Sequence, residues 1–224
     1  MKEHWNREAY IKVFESLRNG QKAEPMEAYM KHHFPFLGIK SPERKEAIKT
    51  YFFTHSIPEK PQLLDEVWAI YMLPEREFQY ASIALLGKKQ KSLTIDDLAF
   101  CANLITKKSW WDSVDSIAPS IVGTIVLNDR IDGERIMQEW SDSDDMWLNR
   151  SAILHQLKYK KQTNEKFLSE IVLKHANSNE FFIQKAIGWM LREYAKTNPA
   201  FIQQFVGENE LKPLSKREAI KHFK

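Results

Sequence analysis

Residues 181–196 read FFIQKAIGWMLREYAK, and the phase of this stretch decides the class of fold. Ile183, Ile187, Met190, Leu191 and Tyr194 recur at three- and four-residue intervals, the apolar stripe of a helix buried along one side. Lys185, Trp189, Arg192 and Lys196 recur at i, i+4, i+7 and i+11 on the opposite face. Gly188 lies in the helix interior, where glycine costs roughly 1 kcal/mol relative to alanine, so something bulky is expected to approach there. A tryptophan among cations, away from the core stripe, has two readings. Either Trp189 packs on a neighbouring helix pair while the cations snorkel past it, or this face receives a ligand.

Working outward, similar segments return along the chain: SPERKEAIKTYF, EFQYASIALL, WLNRSAILHQL, FIQKAIGWML and SKREAIKHF. Anchored on Ala47, Ala81, Ser116, Ala152, Ala186 and Ala219, they recur about every 34 residues, the length of two helices and a turn. A lone helix pair cannot bury its apolar face, so such pairs stack on their neighbours. Seven glycines and few alternating apolar/polar runs argue against strands. Helix starts are read at Ser41 as an N-cap with Pro42 behind it, and as capping boxes at TIDD (94–97), SWWD (109–112) and SKRE (215–218). The tetratricopeptide positions are not matched. The expected architecture is an all-α solenoid of about six HEAT-like antiparallel helix pairs with a concave basic surface. With no low-complexity linker, residues 1–224 are read as a single domain.

Composition bounds the rest. One cysteine excludes a disulfide framework and fits a reducing compartment; no segment has signal-peptide or membrane-spanning character, so a cytoplasmic protein is expected. The net charge of +3 says little, but its distribution says more. Residues 150–224 hold 14 Lys/Arg against 7 Asp/Glu, whereas NDRIDGERIMQEWSDSDD (128–145) is acidic. A basic final third is compatible with phosphates.

The stretch KKSWWDSVDS (107–116) sets tryptophans beside carboxylates. Trp110, Val114, Ile117 and Ile121 follow a buried stripe, and Asp112 completes the box with Ser109. Trp111 and Asp115, four residues apart, share a different face, and no structural duty accounts for Asp115. Arg150 lies in phase with Met146, Ile153 and Leu157, so its guanidinium needs an anion. That anion is either one of the acids at 142–145 or a ligand. Indoles among cations suit a nucleic-acid surface, whereas a carboxylate there is better suited to stabilising a developing positive charge. There is no Gly-rich phosphate loop and no G-x-S-x-G, H-E-x-x-H or C-x-x-C. His32 and His33 form an isolated pair unsuited to chelation on a helix, and Cys101 reads as packing; no metal and no cofactor is expected.

With these residues in view, the chain resembles the AlkD family of HEAT-like repeat DNA alkylation-repair glycosylases. The resemblance spans essentially the whole sequence and is densest in KAEPMEAYMKHHFPFLGIKSPER, LPEREFQ, TKKSWWDSVDSI, WLNRSAILHQLKYK and the stretch from EFFIQKAIGWMLREYAKTNP to LSKREAIKH. It implies a monofunctional glycosylase that hydrolyses the N-glycosidic bond of cationic alkylated purines, N3-methyladenine and N7-methylguanine, in double-stranded DNA. It implies that Asp115 is catalytic, flanked by Trp111 and Trp189, that Arg150 binds backbone, and that Tyr29 lines the cleft. Lys185, Arg192, Lys196, Lys158 and Arg44 are the basic positions expected near phosphate. A monomer without nucleotide cofactor is expected. The alternatives are a non-catalytic DNA-binding repeat protein and a protein-binding scaffold.

Overall fold

The structure, a computed structural model, describes residues 2–221 and 223. It is all-helical, with no β-strand among the described residues and one isolated bridge between Glu3 and His55. By its internal contacts the chain divides into two compact units, residues 1–89 and 90–224.

The first unit contains α1 (Arg7–Glu15), α2 (Gly20–Tyr29), α3 (Ser41–Thr54), α4 (Gln62–Tyr71) and α5 (Arg76–Lys88). Helix α4 pairs with α5, and α1 packs on α3 and α4. Their shared core is aromatic: Tyr10, Phe14, Tyr51, Tyr71 and Phe78 are buried, and the Tyr10 hydroxyl donates to the Ala81 carbonyl at 3.1 Å.

The motif LPEREFQ proves to be structural. Glu77 is fully buried, and its carboxylate accepts the backbone N–H groups of Leu37, Gly38 and Ile39, each at 2.9 Å. Gly38 has φ +87°, and a Cβ there would meet the Asn19 carbonyl oxygen at 2.0 Å, so only glycine fits this turn. Gln79 donates its amide to the carbonyls of Tyr71 and Leu73, and the Arg76 guanidinium lies 4.0 Å from the Phe34 ring centroid. These contacts hold the loop that leads into α3. Glu77→Gln replaces an anionic acceptor of three buried N–H groups with a neutral one, and should lower stability by about 2 kcal/mol. A urea midpoint unchanged by that substitution would remove Glu77 from this role.

The second unit contains α6 (Leu98–Thr106), α7 (Trp111–Ile117), α8 (Gly123–Asn128), α9 (Arg130–Ser141), α10 (Met146–Leu154), α11 (Glu165–Lys174), α12 (Phe181–Ala195), α13 (Pro199–Glu208) and α14 (Pro213–Ala219). One wide π-type turn, Ala118–Val122, joins α7 to α8 and accommodates Pro119. Helix α10 packs on α9 and α12, and α12 packs most extensively on α14. Cys101 is fully buried, and burial raises its thiol to about 12, so it is packing, as expected. Among the described residues no helix is long and apolar enough to cross a membrane.

The repeat is visible in the helix starts. Helices α3, α5, α7, α10 and α12 begin at 41, 76, 111, 146 and 181, each 35 residues after the last, and α14 follows at 213. Ala47, Ala81, Ala152, Ala186 and Ala219 are buried, as their shared phase predicts. Ser116 is exposed instead; in that helix Ser113 is the small buried residue.

Three helix starts differ from expectation. Helix α3 begins at Ser41 with Lys40 as its cap, the Lys40 N–H donating to Glu43 at 2.9 Å. Ser109 does not cap α7; its hydroxyl donates back to the Ile105 carbonyl at 2.8 Å, and Trp110 occupies the cap position. Ser215 lies inside α14, where its hydroxyl donates to the Gln184 carbonyl at 3.1 Å. In the last two cases a tertiary or preceding-helix carbonyl takes the hydroxyl that local spacing assigned to a cap. The box at Thr94 forms, with its N–H donating to Asp97 at 2.7 Å.

Candidate active site

The local course of the chain sorts the two tryptophans. Lys108 has φ +48° and Trp110 is extended, so the backbone turns sharply between α6 and α7. Trp110 is half-buried in an aromatic cluster, with ring centroids 5.2 Å from Phe182 and 5.9 Å from Trp147. The core stripe therefore starts at Val114 and continues through Ile117 and Ile121. Trp111 opens α7, and Asp115 follows one turn later on the same side.

These two residues line a pocket of about 300 Å³ together with Arg150, Phe181, Phe182, Lys185, Trp189, Arg192 and Glu218. Helices α7, α10, α12 and α14 each contribute. Asp115 accepts from Arg150 through both oxygens, Nε to Oδ1 and Nη2 to Oδ2, each at 2.8 Å. The third guanidinium nitrogen, Nη1, donates to the Phe182 carbonyl. The Arg150 side chain is only 5% exposed and that of Asp115 17%. The partner of Arg150 is thus Asp115, 35 residues away, and none of the acids at 142–145; Asp142 pairs with Lys174, and Asp145 caps α10. Burial raises the Asp115 carboxyl above its ordinary value, the Arg150 hydrogen bonds and charge draw it partly back, and Asp112 adds a small upward push. The result is a carboxylate held in a fixed plane by Arg150, poorly solvated, in the lining of the pocket.

Helix α12 supplies most of the remaining lining residues. Ile183, Ile187, Met190, Leu191 and Tyr194 are buried as their phase predicts, and Trp189 is half-buried at the pocket. What approaches Gly188 is α14: an added Cβ would lie 2.4 Å from the Glu218 Cβ and 3.0 Å from the Ser215 carbonyl oxygen. Gly188→Ala gains roughly 1 kcal/mol of helix propensity but must push α14 away, a strain of about 1–3 kcal/mol. A lower melting temperature is expected; a higher one would show that α14 yields freely.

Glu218 is the site residue that the sequence reading missed. Read as the end of a capping box, it is instead buried and ion-paired with Arg192, with Lys185 at 3.2 Å and with Lys221 at 3.7 Å. Burial opposes its charge, but the hydrogen bonds from Arg192 and Lys185 prevail and hold its carboxyl below the usual range. The signal was present, because Ser215, Glu218 and Ala219 share one helical face and all three are buried.

The remaining expected contacts lie elsewhere. Lys158 and Lys196 line a separate groove of the second unit with Lys160, Met190 and Tyr194. There Lys158 donates to the Ser120 hydroxyl at 2.7 Å, and Lys196 pairs with Glu193 at 2.6 Å. Tyr29, which is 71% exposed, and Arg44 line a hollow of the first unit, where Arg44 sits 4.2 Å from the Tyr80 ring centroid. His32 and His33 lie in the turn after α2 rather than on a helix, His32 with φ +57°. Among the described residues no group of His, Cys, Asp and Glu is placed to hold a metal ion.

An all-helical repeat chain whose pocket is lined by a carboxylate–guanidinium pair, two indoles and further cations defines a class: helical-repeat proteins with a charged, aromatic-walled pocket. Residues 10–223 match the family model described as DNA alkylation repair enzyme, so the chain belongs to the DNA alkylation repair enzyme family. A solved structure described as a predicted DNA alkylation repair enzyme from Enterococcus faecalis is similar at 36% identity and a TM-score of 0.84. The match covers 92% of this chain and 96% of that one. A comparison with curated proteins gave no match.

Proposed function

We propose that this member of the family is a monofunctional DNA glycosylase that hydrolyses the N-glycosidic bond of cationic alkylated purines, N3-methyladenine and N7-methylguanine, in duplex DNA. The observation that carries this reading is Asp115, clamped by Arg150 through both oxygens and lining one pocket with Trp111 and Trp189.

A purine methylated at N3 or N7 already carries positive charge. When the C1′–N bond breaks, its electron pair neutralises the ring, so the base leaves without a general acid. The positive charge passes to the deoxyribose, which becomes oxocarbenium-like, as in other glycosyl transfers. Asp115 is the anion that stabilises that charge, and its low solvation makes the attraction stronger than in water. Water then adds at C1′ and loses a proton towards the carboxylate or solvent. Trp111 and Trp189 present π-faces to the sugar and add to the stabilisation of the cation. Arg150 fixes the carboxylate plane, a positioning duty that fits its burial better than direct contact with DNA backbone.

Lys185 and Arg192 contact phosphate beside the lesion, and Lys158, Lys196, Arg44 and Tyr29 serve as further DNA contacts. The protein acts as a monomer in the cytoplasm, on DNA, without metal or nucleotide cofactor. Incubation with duplex DNA carrying N7-methylguanine tests the reading directly. Free base should appear in proportion to protein added, leaving an abasic site without strand cleavage; no release, or cleavage at the sugar, refutes it.

A further inference from the structure

We infer that Glu218 is a positioning residue: its carboxylate, lying beneath Lys185 and Arg192, holds the two cations as a pair facing outward and keeps them off Asp115. This rests on the reading of the pocket as the site of base excision, although the geometry behind it is independent of that reaction.

The argument starts from burial order. The side chain of Glu218 is 10% exposed, that of Arg192 23% and that of Lys185 38%. The anion therefore lies on the inside and the cations reach past it towards solvent. Lys185 and Arg192 lie seven residues, about two turns, apart on one face of α12, and like charges there would separate if nothing neutralised them from below. The Arg192 side chain donates to the Glu218 carboxylate, and Lys185 lies 3.2 Å from its other oxygen, so one carboxylate bridges both. The anchor is packed closely at its base, since a Cβ at Gly188 would fall 2.4 Å from the Glu218 Cβ. Gly188 thus admits α14 close enough for a seven-residue helix to deliver one carboxylate into the pocket.

The second consequence concerns Asp115. The pocket holds three cations, Arg150, Lys185 and Arg192, and two carboxylates, Asp115 and Glu218. Asp112 on α7 and Lys221, two residues beyond the end of α14, are further charged groups that act on them. With Glu218 in place the charges sort into two sets, Asp115 with Arg150 and Glu218 with Lys185 and Arg192. Without it, Lys185 or Arg192 can turn towards Asp115 across the shared pocket, and a second protein cation would offset the charge that stabilises the sugar cation. An unanchored pair would also meet a phosphate with less fixed geometry.

Glu218→Gln, which keeps the shape and removes the charge, separates these effects from simple packing. In the free protein, the carboxyl carbon of Asp115 followed by NMR should titrate at lower pH in the variant, because a released cation now favours its ionised form. An unchanged titration overturns the proposal whether or not the protein excises bases. In single-turnover excision of N7-methylguanine at saturating protein, the variant should be about tenfold slower, while Glu218→Asp recovers part of the rate. Equal rates for wild type and Glu218→Gln also overturn it. A wild type that releases no base defeats the glycosylase reading alone, and the NMR titration then decides Glu218. Melting temperature is measured alongside: a rate loss that simply follows stability, with the Asp115 titration unmoved, would reduce Glu218 to a packing residue.

Discussion

Asp115→Asn is expected to slow release of N7-methylguanine from duplex DNA by a factor of about 10²–10³ or more, measured as a single-turnover rate at saturating protein. Asparagine keeps the volume and one acceptor oxygen for Arg150, so the losses are the negative charge and one of the two Arg150 hydrogen bonds. That charge acts only as the glycosidic bond breaks, when the deoxyribose turns positive. Affinity for undamaged duplex should therefore not fall, which titration at fixed salt checks directly. Circular dichroism and melting of the variant separate loss of charge from loss of fold. A variant that excises at the wild-type rate would show that Asp115 does not stabilise the reacting sugar.

The second large effect is expected at Arg150. Arg150→Gln breaks a buried ion pair and leaves Asp115 without its bidentate partner, which should cost roughly 3–5 kcal/mol of stability in chemical denaturation. It should also move the pH profile. Burial already raises the Asp115 carboxyl, and Arg150 is the main influence drawing it down. The acid limb of excision in the wild type should therefore lie above the ordinary carboxylate range, with activity lost as pH falls and Asp115 takes up a proton. Removing Arg150 removes the lowering influence, so the limb moves to still higher pH. For stability the sign is opposite to that of a salt-bridged surface acid. A raised carboxyl binds its proton more tightly in the folded state, so its contribution is fully present below the unfolded value and lost as pH rises through the folded one. An acid limb that does not move in Arg150→Gln would mean that Asp115 is not the group setting it.

Much of this was legible in the chain because it depends on spacing along one helix. The phase of residues 181–196 separated Ile183, Ile187 and Met190 from Lys185, Trp189 and Arg192, and both groups lie where that phase put them. The alanines at 47, 81, 152, 186 and 219 gave the repeat, since each helix pair needs a small residue where its neighbour comes close. Gly188 announced a close approach for the same reason, and the helix that makes it is α14.

What the sequence by itself determined, then, is the helical class, its period and the faces of α7 and α12 that carry Trp111, Asp115 and Trp189. Only the tertiary structure decided which charges meet. Ser109 and Ser215 had the spacing of caps, yet their hydroxyls found carbonyls of Ile105 and Gln184. Arg150 had nearby acids at 142–145, yet it reaches Asp115 across 35 residues, and Glu218 reaches Arg192 across 26. A helix fixes the direction in which a side chain leaves it, but the partner of a buried charge is set by which other helix packs against that face. That choice is made by the whole core, and no local pattern contains it.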